Sequence, residues 1–362
     1  MNESAARILD VNLNRAREAL RVIEDYARFA LDDRDAAAAA KSCRHELSGI
    51  RAALGGDALL AARDIVGDVG RDTKSDGELA RRDEEEVVRA AFGRLTEATR
   101  SLGEFGKLHA AQAAAAAERL RYRAYELEQR IVLRGRLRQR FREVRLYVLL
   151  TESLCRRPWR DTLAACVRGG AQCVQLREKS LPDGELLRRA RELRDRTRER
   201  GVLLAINDRP DIARLVGADI VHVGQDDLSV ADVRRIAGGH ILVGKSTHTV
   251  AQFRAALAED PDYLAVGPMY DSPTKPQPLV AGAATLQAVR PLTDLPLVAI
   301  GGLTPANLEP VVLAGADVLA VCGGVIGADD PEGAARQYIA SIEAVSAAAP
   351  SRSPGCAGAG EG

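Results

Sequence analysis

Two regimes of apolar and polar spacing divide the chain. From Ala5 to about Leu133 the sequence is rich in Ala, Arg, Glu and Leu and almost free of β-branched runs, a pattern that predicts an all-α domain over residues 1–130. From Leu146 onward, short apolar runs alternate with helix-length segments. The runs are Leu146–Leu150, Gln172–Leu176, Val202–Ile206, Ile220–Val223, Ile241–Val243, Tyr263–Val266, Leu297–Ile300 and Val318–Val321. Eight such runs predict parallel βα units, and eight is the number that closes a (β/α)₈ TIM barrel, here over residues 145–348. A doubly wound open sheet is the alternative. Against it, the turn after the first run reads Thr151-Glu152-Ser153-Leu154-Cys155 and lacks G-x-G-x-x-G.

Between the two regimes lies a basic stretch carrying Arg134, Arg136, Arg138, Arg140 and Arg142. It predicts a linker over 131–144, for which a solvated connecting helix is commoner than an RNA or membrane surface. Residues 349–362 are mostly Ser, Gly, Ala and Pro and predict a disordered tail. Within the helical half, Arg15-Ala16-Arg17-Glu18-Ala19-Leu20-Arg21 resembles Arg94-Leu95-Thr96-Glu97-Ala98-Thr99-Arg100. Spacing by three sets Arg15, Glu18 and Arg21, and likewise Arg94, Glu97 and Arg100, near one face of their helices. For either helix alone a solvated charged face is the commoner outcome. The repetition raises the case for a shared buried or ligand-facing polar surface, although an internal duplication also preserves purely structural pairing.

Composition narrows the classes. With 51 Lys+Arg against 51 Asp+Glu there is no global basic field, so no nucleic-acid partner is expected and any anion site must be local. Six cysteines form no C-x-x-C pair, which predicts reduced thiols and a cytoplasmic protein. No stretch has the length of a membrane span, and Met1–Asp10 lacks the apolar core of a signal peptide. A homo-oligomer is left open.

Barrel enzymes build their sites from residues that follow the strands, and those positions are unusually polar here. After the second run comes Gln175-Leu176-Arg177-Glu178-Lys179, whose alternation sends Gln175, Arg177 and Lys179 to one side, where the cations can hold an anion. After the third and fourth come Asn207-Asp208-Arg209 and Gly224-Gln225-Asp226-Asp227. Each acid alone reads more simply as a helix N-cap. Together, Asp208 and Asp227 near Arg177 and Lys179 suit a Mg²⁺ bound to a substrate pyrophosphate.

Gly239 to Ser246 matches G-x-x-x-x-G-K-[ST], a nucleotide-binding pattern. Its middle, His240-Ile241-Leu242-Val243, reads as strand, so that assignment is rejected and Ser246 is kept as a phosphate donor. The long loop Gly267-Pro268 through Lys275 is a candidate lid in which Ser272, Thr274 and Lys275 bind an anion. Gly301-Gly302 and Cys322-Gly323-Gly324, after the last two runs, offer backbone amides to a second phosphate. His222 reads as a packed, hydrogen-bonded barrel histidine, and the cysteines as inert small residues.

These segments, together with Val221-His222-Val223-Gly224-Gln225-Asp226-Asp227 and Ala299-Ile300-Gly301-Gly302, resemble the thiamine phosphate synthase family in order through the whole barrel. The resemblance implies a Mg²⁺-dependent transferase that joins hydroxymethylpyrimidine diphosphate to a thiazole phosphate with release of pyrophosphate. It implies pyrimidine diphosphate contacts from Gln175, Arg177, Lys179, Asn207 and Lys275, metal ligation by Asp208 and Asp227, and diphosphate or product contact by Ser246. Ser272, Thr274, Gly301, Gly302, Cys322 and Gly323 would hold the thiazole phosphate. Arg177, Lys179, Ser246 and Lys275 are the catalytic set, because ionising the pyrimidine CH₂–O bond leaves a charged leaving group to neutralise. The thiazole nitrogen already has a lone pair and needs no base. Ser272 stands where the family has Thr, and Cys322-Gly323 where it has an aliphatic residue followed by Ser, which implies altered affinity.

The helical half, with Asn12 through Glu24 and Arg44-His45-Glu46-Leu47, is similar to a domain fused ahead of that synthase and associated with ATP-dependent phosphorylation of hydroxymethylpyrimidine phosphate. Its second repeat carries Gly93 and Gly103 at the positions equivalent to Asn14 and Glu24. The alternatives are a barrel that serves as a degenerate regulator and a helical half that is a docking or oligomerisation module.

Overall fold

A computed structural model of the chain describes residues 2–31, 33–64, 80–271 and 280–348. The disordered-tail expectation for 349–362 falls outside them. The chain divides into two compact units, Met1–Arg136 and Leu137–Gly362.

The first unit is all helix: α1 (Glu3–Phe29), α2 (Arg34–Ala53), α3 (Gly56–Ala61), α4 (Glu84–Gly106) and α5 (Ala111–Glu128). Asn2, Asp33 and Asp83 start α1, α2 and α4, each accepting a hydrogen bond from an amide of the first turn and satisfying a donor that a helix start leaves bare. The repeated pattern sets Ala16, Ala19, Leu20 and Ile23 of α1 and Ala91, Leu95, Ala98 and Leu102 of α4 inward, none more than 1% exposed. Alanine at these positions lets the two helices approach closely, and α1 packs on α4 more extensively than any other helix pair. Buried carboxylates inside this unit have guanidinium partners. Arg63 forks onto Asp10 at 2.7 and 3.0 Å, Arg44 pairs with Glu24, and Arg130 and Arg134 reach Asp33 at 2.8 and 3.3 Å.

After α5 the helical hydrogen bonding widens to a π-helix over Gln129–Arg134 and then resumes as α6 (Gly135–Arg142). The basic segment 131–144 is thus helical for most of its length, and its last part belongs to the barrel. Phe141 and Val144 are 1% exposed and pack with Tyr147, Cys173 and Tyr263 as the floor of the barrel interior. Arg138 reaches Asp262 at 2.7 Å and Arg140 the Gly201 carbonyl at 2.8 Å.

The second unit is a closed parallel barrel in sequential order, β1 (Leu146–Leu150), β2 (Cys173–Leu176), β3 (Leu203–Asn207), β4 (Ile220–Val223), β5 (Leu242–Thr247), β6 (Tyr263–Val266), β7 (Leu297–Ile300) and β8 (Val318–Val321). Helices α7 (Trp159–Arg168), α8 (Asp183–Glu199), α9 (Pro210–Val216), α10 (Val230–Ala237), α11 (Val250–Leu257), α12 (Gly282–Val289), α13 (Glu309–Leu313), α14 (Gly323–Ile326) and α15 (Pro331–Ala348) fill the spaces between strands and follow the last of them. Outward strand residues such as Val148, Val174 and Leu264 form one apolar layer with these helices. Inward residues such as Leu149, Leu203 and Leu242 form a second layer inside. Period-two alternation in a sheet buried on both faces accounts for the near-continuous apolar runs.

The fifth strand departs from expectation. Where the pattern predicts Ile241–Val243, the strand runs on to Thr247, because Val223 pairs with Lys245 on one side and Ala265 and Val266 pair with Ser246 and Thr247 on the other. Backbone pairing continues under polar side chains that each have a partner: Lys245 has Glu259, Ser246 has His222 and Thr247 the Ala265 carbonyl. Among the described residues, no helix is long and apolar enough to cross a membrane.

Candidate active site

A cavity of about 900 Å³ opens at the carboxyl ends of the strands. Gln175, Arg177 and Lys179 all line it, as alternation along β2 and the turn after it requires. Lys179 Nζ lies 3.6 Å from Asp208 Oδ2, and the Asn207 amide donates to the same oxygen at 2.5 Å. Asp208 takes φ 59°, a left-handed conformation that costs a non-glycine residue energy and is found where side chains must be re-aimed. Its amide donates to the His222 carbonyl at 2.9 Å, which ties this turn to β4. Burial, and then the adjacent carboxylate of Asp227, raise the Asp208 carboxyl above its usual range, while Lys179 and Asn207 pull the other way. Asp227 in turn accepts from the Gly224 amide at 2.7 Å. Arg177 has no side-chain hydrogen bond or ion pair among the described residues, and its charge acts on both His222 and Cys322.

Beneath this rim runs a buried polar chain that the sequence reading did not anticipate. Gln175 Nε2 donates to the Tyr147 hydroxyl at 2.8 Å, which lies 3.3 Å from the Tyr263 hydroxyl. Tyr263 is 2.9 Å from His222 Nδ1, and His222 Nε2 is 2.8 Å from Ser246 Oγ. Burial pushes the His222 imidazolium down to about 4; Asp227 opposes that shift and Arg177 adds to it. The only advance signal was the position of Tyr147 and Tyr263 at inward places of β1 and β6. Gly244 makes room for this chain, since a Cβ there would sit 1.9 Å from Tyr263 Cζ.

Across the cavity, the turns after β7 and β8 present bare backbone. Gly301 and Gly302 have φ 98° and 65°, and a Cβ on either would fall within 2.7 Å of Pro268 or Tyr270 atoms. Cys322, Gly323 and Gly324 also line the cavity, with the Cys322 thiol pushed up to about 11 by burial, against the pull of Arg177. Ser272, Thr274 and Lys275 lie outside the described residues. Lys245 points away from the cavity. It is 5% exposed and pairs with Glu259 at 2.5 Å, and the Gly239–Gly244 stretch is a turn entering β5, which is incompatible with a phosphate-wrapping loop.

In the helical unit Arg15, Glu18, Arg21, Arg94, Glu97 and Arg100 are all exposed. Arg21 pairs with Asp25 at 3.2 Å and Arg100 with Glu104 at 3.4 Å. The repeat buries its alanine and leucine positions and leaves the charges in solvent, so the shared polar surface is not a buried one. Among the described residues no cluster of three or more His, Cys, Asp or Glu could hold a metal ion.

A family model for thiamine monophosphate synthase matches residues 146–325, and one for the ThiD2 family matches residues 7–130. The thiamine-phosphate synthase of Gloeobacter violaceus is 39% identical over 328 residues, which is 90% of this chain and 93% of that protein. The Synechocystis enzyme of the same name is 37% identical over 342 residues, 94% and 97% of the two chains. Among solved structures, thiamine phosphate pyrophosphorylase from Pyrococcus furiosus superposes with a TM-score of 0.53 at 30% identity, covering 58% of this chain and 98% of its own. With identity this high over nearly the full length of both proteins, the chain belongs to the thiamine-phosphate synthase family of transferases and carries a ThiD2-family helical domain N-terminal to its barrel.

Proposed function

We propose that the barrel joins 4-amino-2-methyl-5-hydroxymethylpyrimidine diphosphate to a thiazole phosphate, releasing pyrophosphate by a dissociative substitution that depends on Mg²⁺. The observation that carries this reading is the wall where Lys179, Asp208 and Asp227 meet, with Arg177 lining the same cavity and unpartnered among the described residues. Two adjacent carboxylates form a hard oxygen donor set that suits Mg²⁺, which takes one or two carboxylates and completes its shell from water and phosphate. When bound, the ion would neutralise charge on the diphosphate. Arg177 and Lys179 would draw the diphosphate in, and Ser246 would donate to it. Gln175 and Asn207 would orient the pyrimidine, and Lys275 would cover the diphosphate from the loop. Gly301, Gly302, Cys322 and Gly323, with Ser272 and Thr274, would hold the thiazole phosphate opposite. No group is needed as a general base, because the thiazole nitrogen attacks with a free lone pair; the site accordingly invests in charge stabilisation.

The ThiD2-family match supports a second activity, phosphorylation of hydroxymethylpyrimidine phosphate with ATP. Arg15, Glu18, Arg21, Arg94, Glu97 and Arg100 are the candidate residues for it, acting from an exposed face. The full-length protein separates the readings. Thiamine phosphate should form from the pyrimidine diphosphate and thiazole phosphate with Mg²⁺ alone, and from the monophosphate only when ATP is added. No product from the diphosphate would make the barrel a regulator. Product from the diphosphate alone would make the helical half a docking module.

A further inference from the structure

The buried chain beneath the cavity has a direction, and the direction determines what Ser246 can do. We propose that Gln175, Tyr147, Tyr263 and His222 form a one-way hydrogen-bond relay that fixes the Ser246 hydroxyl as a donor aimed into the cavity, so that Tyr263 and His222 are positioning residues for recognition of a phosphate oxygen. The inference rests on the reading of Ser246 as a diphosphate contact and deepens it.

Gln175 Nε2 can only donate, and it donates to the Tyr147 oxygen at 2.8 Å. Tyr147 therefore turns its hydrogen to Tyr263, 3.3 Å away, and Tyr263 turns its own to His222 Nδ1 at 2.9 Å. A neutral imidazole has one acceptor and one donor, so the proton resides on Nε2 and is given to Ser246 Oγ at 2.8 Å. A lone pair of Ser246 is then occupied and its hydrogen is unspent. In the opposite direction, Ser246 would spend its hydrogen on His222 and meet an incoming phosphate oxygen with lone pairs only.

The surroundings hold every member in the required form. Burial raises both phenols well above their usual range, so each keeps a hydrogen to pass on. The Tyr263 ring is clamped between Phe141, stacked at 4.4 Å between ring centres, and His222, stacked at 5.6 Å. The space for that ring exists only because residue 244 has no side chain.

The test uses the full-length protein labelled with ¹⁵N-histidine, the His222 signals being identified by their loss in His222→Gln. Two-bond ¹⁵N–¹H spectra should show His222 as the Nε2–H tautomer in the unliganded protein. Tyr263→Phe keeps the ring and the stacking and removes only the hydroxyl; it should abolish the fixed tautomer and weaken binding of magnesium pyrophosphate, read by calorimetry, by about tenfold. Ser246→Ala should weaken it by about 10- to 100-fold, and adding Tyr263→Phe to Ser246→Ala should cost nothing more. An Nδ1–H tautomer in the wild-type protein, or wild-type affinity in Tyr263→Phe, overturns the relay. Wild-type affinity in Ser246→Ala with the Nε2–H tautomer intact overturns instead the reading of Ser246 on which the relay's purpose depends.

Discussion

The two halves of the chain treat charge in opposite ways. In the helical unit the buried carboxylates of Asp10, Glu24 and Asp33 already hold the guanidinium groups of Arg63, Arg44, Arg130 and Arg134, and the arginines of the repeated pattern, Arg15, Arg21, Arg94 and Arg100, project into solvent. At the barrel mouth Arg177 faces a cavity without a carboxylate partner among the described residues, while Asp208 and Asp227 crowd one another, with Lys179 3.6 Å from Asp208. Mutual neutralisation stabilises a fold and leaves little field for a ligand. Unneutralised charge inside a concave wall costs stability and is retained where something else supplies the missing partner. The comparison explains why the chemistry proposed for the barrel can be argued residue by residue while that proposed for the helices rests on an exposed face and a family match.

The comparison can be broken or sharpened in four ways, taken in order of expected effect. Replacing Asp208 by Ala should lower synthase turnover on the order of 10²-fold or more while the thermal midpoint holds or rises, since like-charge crowding is relieved. Unchanged turnover in steady-state assays would remove Asp208 from the metal site. In the helical unit the same chemical change should do the reverse. Glu24→Ala strands Arg44 and should cost about 2–3 kcal/mol in denaturant unfolding, less than a fully buried pair because Arg44 is 32% exposed. The synthase step from the diphosphate should proceed at its normal rate wherever the variant remains folded. A stability change below about 0.5 kcal/mol would show that this pair is not structural.

Arg21→Ala should leave stability within about 0.5 kcal/mol and lower ATP-dependent formation of the pyrimidine diphosphate by about tenfold, with the synthase step untouched. An unchanged rate would leave the repeated face as surface. The smallest effect belongs to Lys245. Lys245→Met removes an ion pair to Glu259, itself 32% exposed, and should cost about 1 kcal/mol with no effect on either activity. Loss of ATP-dependent activity alone in that variant would revive the nucleotide-loop reading.

Much of the barrel was legible because strands buried on both faces are written as apolar runs, and because barrel topology sends the residue after each run to one rim. Gln175, Arg177, Lys179, Asn207, Asp208 and Asp227 were found by that rule, and all of them line the cavity. Ser246 was found for a partly mistaken reason. The apolar run ends at Val243 and leaves Ser246 beyond the strand, whereas Lys245, Ser246 and Thr247 continue β5, because Ser246 has its partner His222 inside the barrel and Lys245 has Glu259 outside it. Tyr147, Tyr263 and Gly244 escaped notice because their pairing depends on contacts between different strands, from Gly244 beside Tyr263 to the Tyr147–Tyr263 hydroxyl contact across 116 positions. The Arg63–Asp10 fork escaped for the same reason, its members standing 53 positions apart. No local spacing encodes such pairs.

Phe141 has a practical bearing on any attempt to separate the two domains. The synthase family match begins at residue 146, and a gene divided there would deliver a barrel whose lower opening admits water onto Tyr263 and Val144's former neighbours, with the aromatic plug left on the other fragment. The serviceable cut lies between Arg136 and Leu137, where the chain's two compact units meet in sequence. A fragment starting at Leu137 retains its own stopper; one starting at Leu146 should express poorly, bind hydrophobic dyes and lose the ordered tyrosine ring beneath its cavity rim.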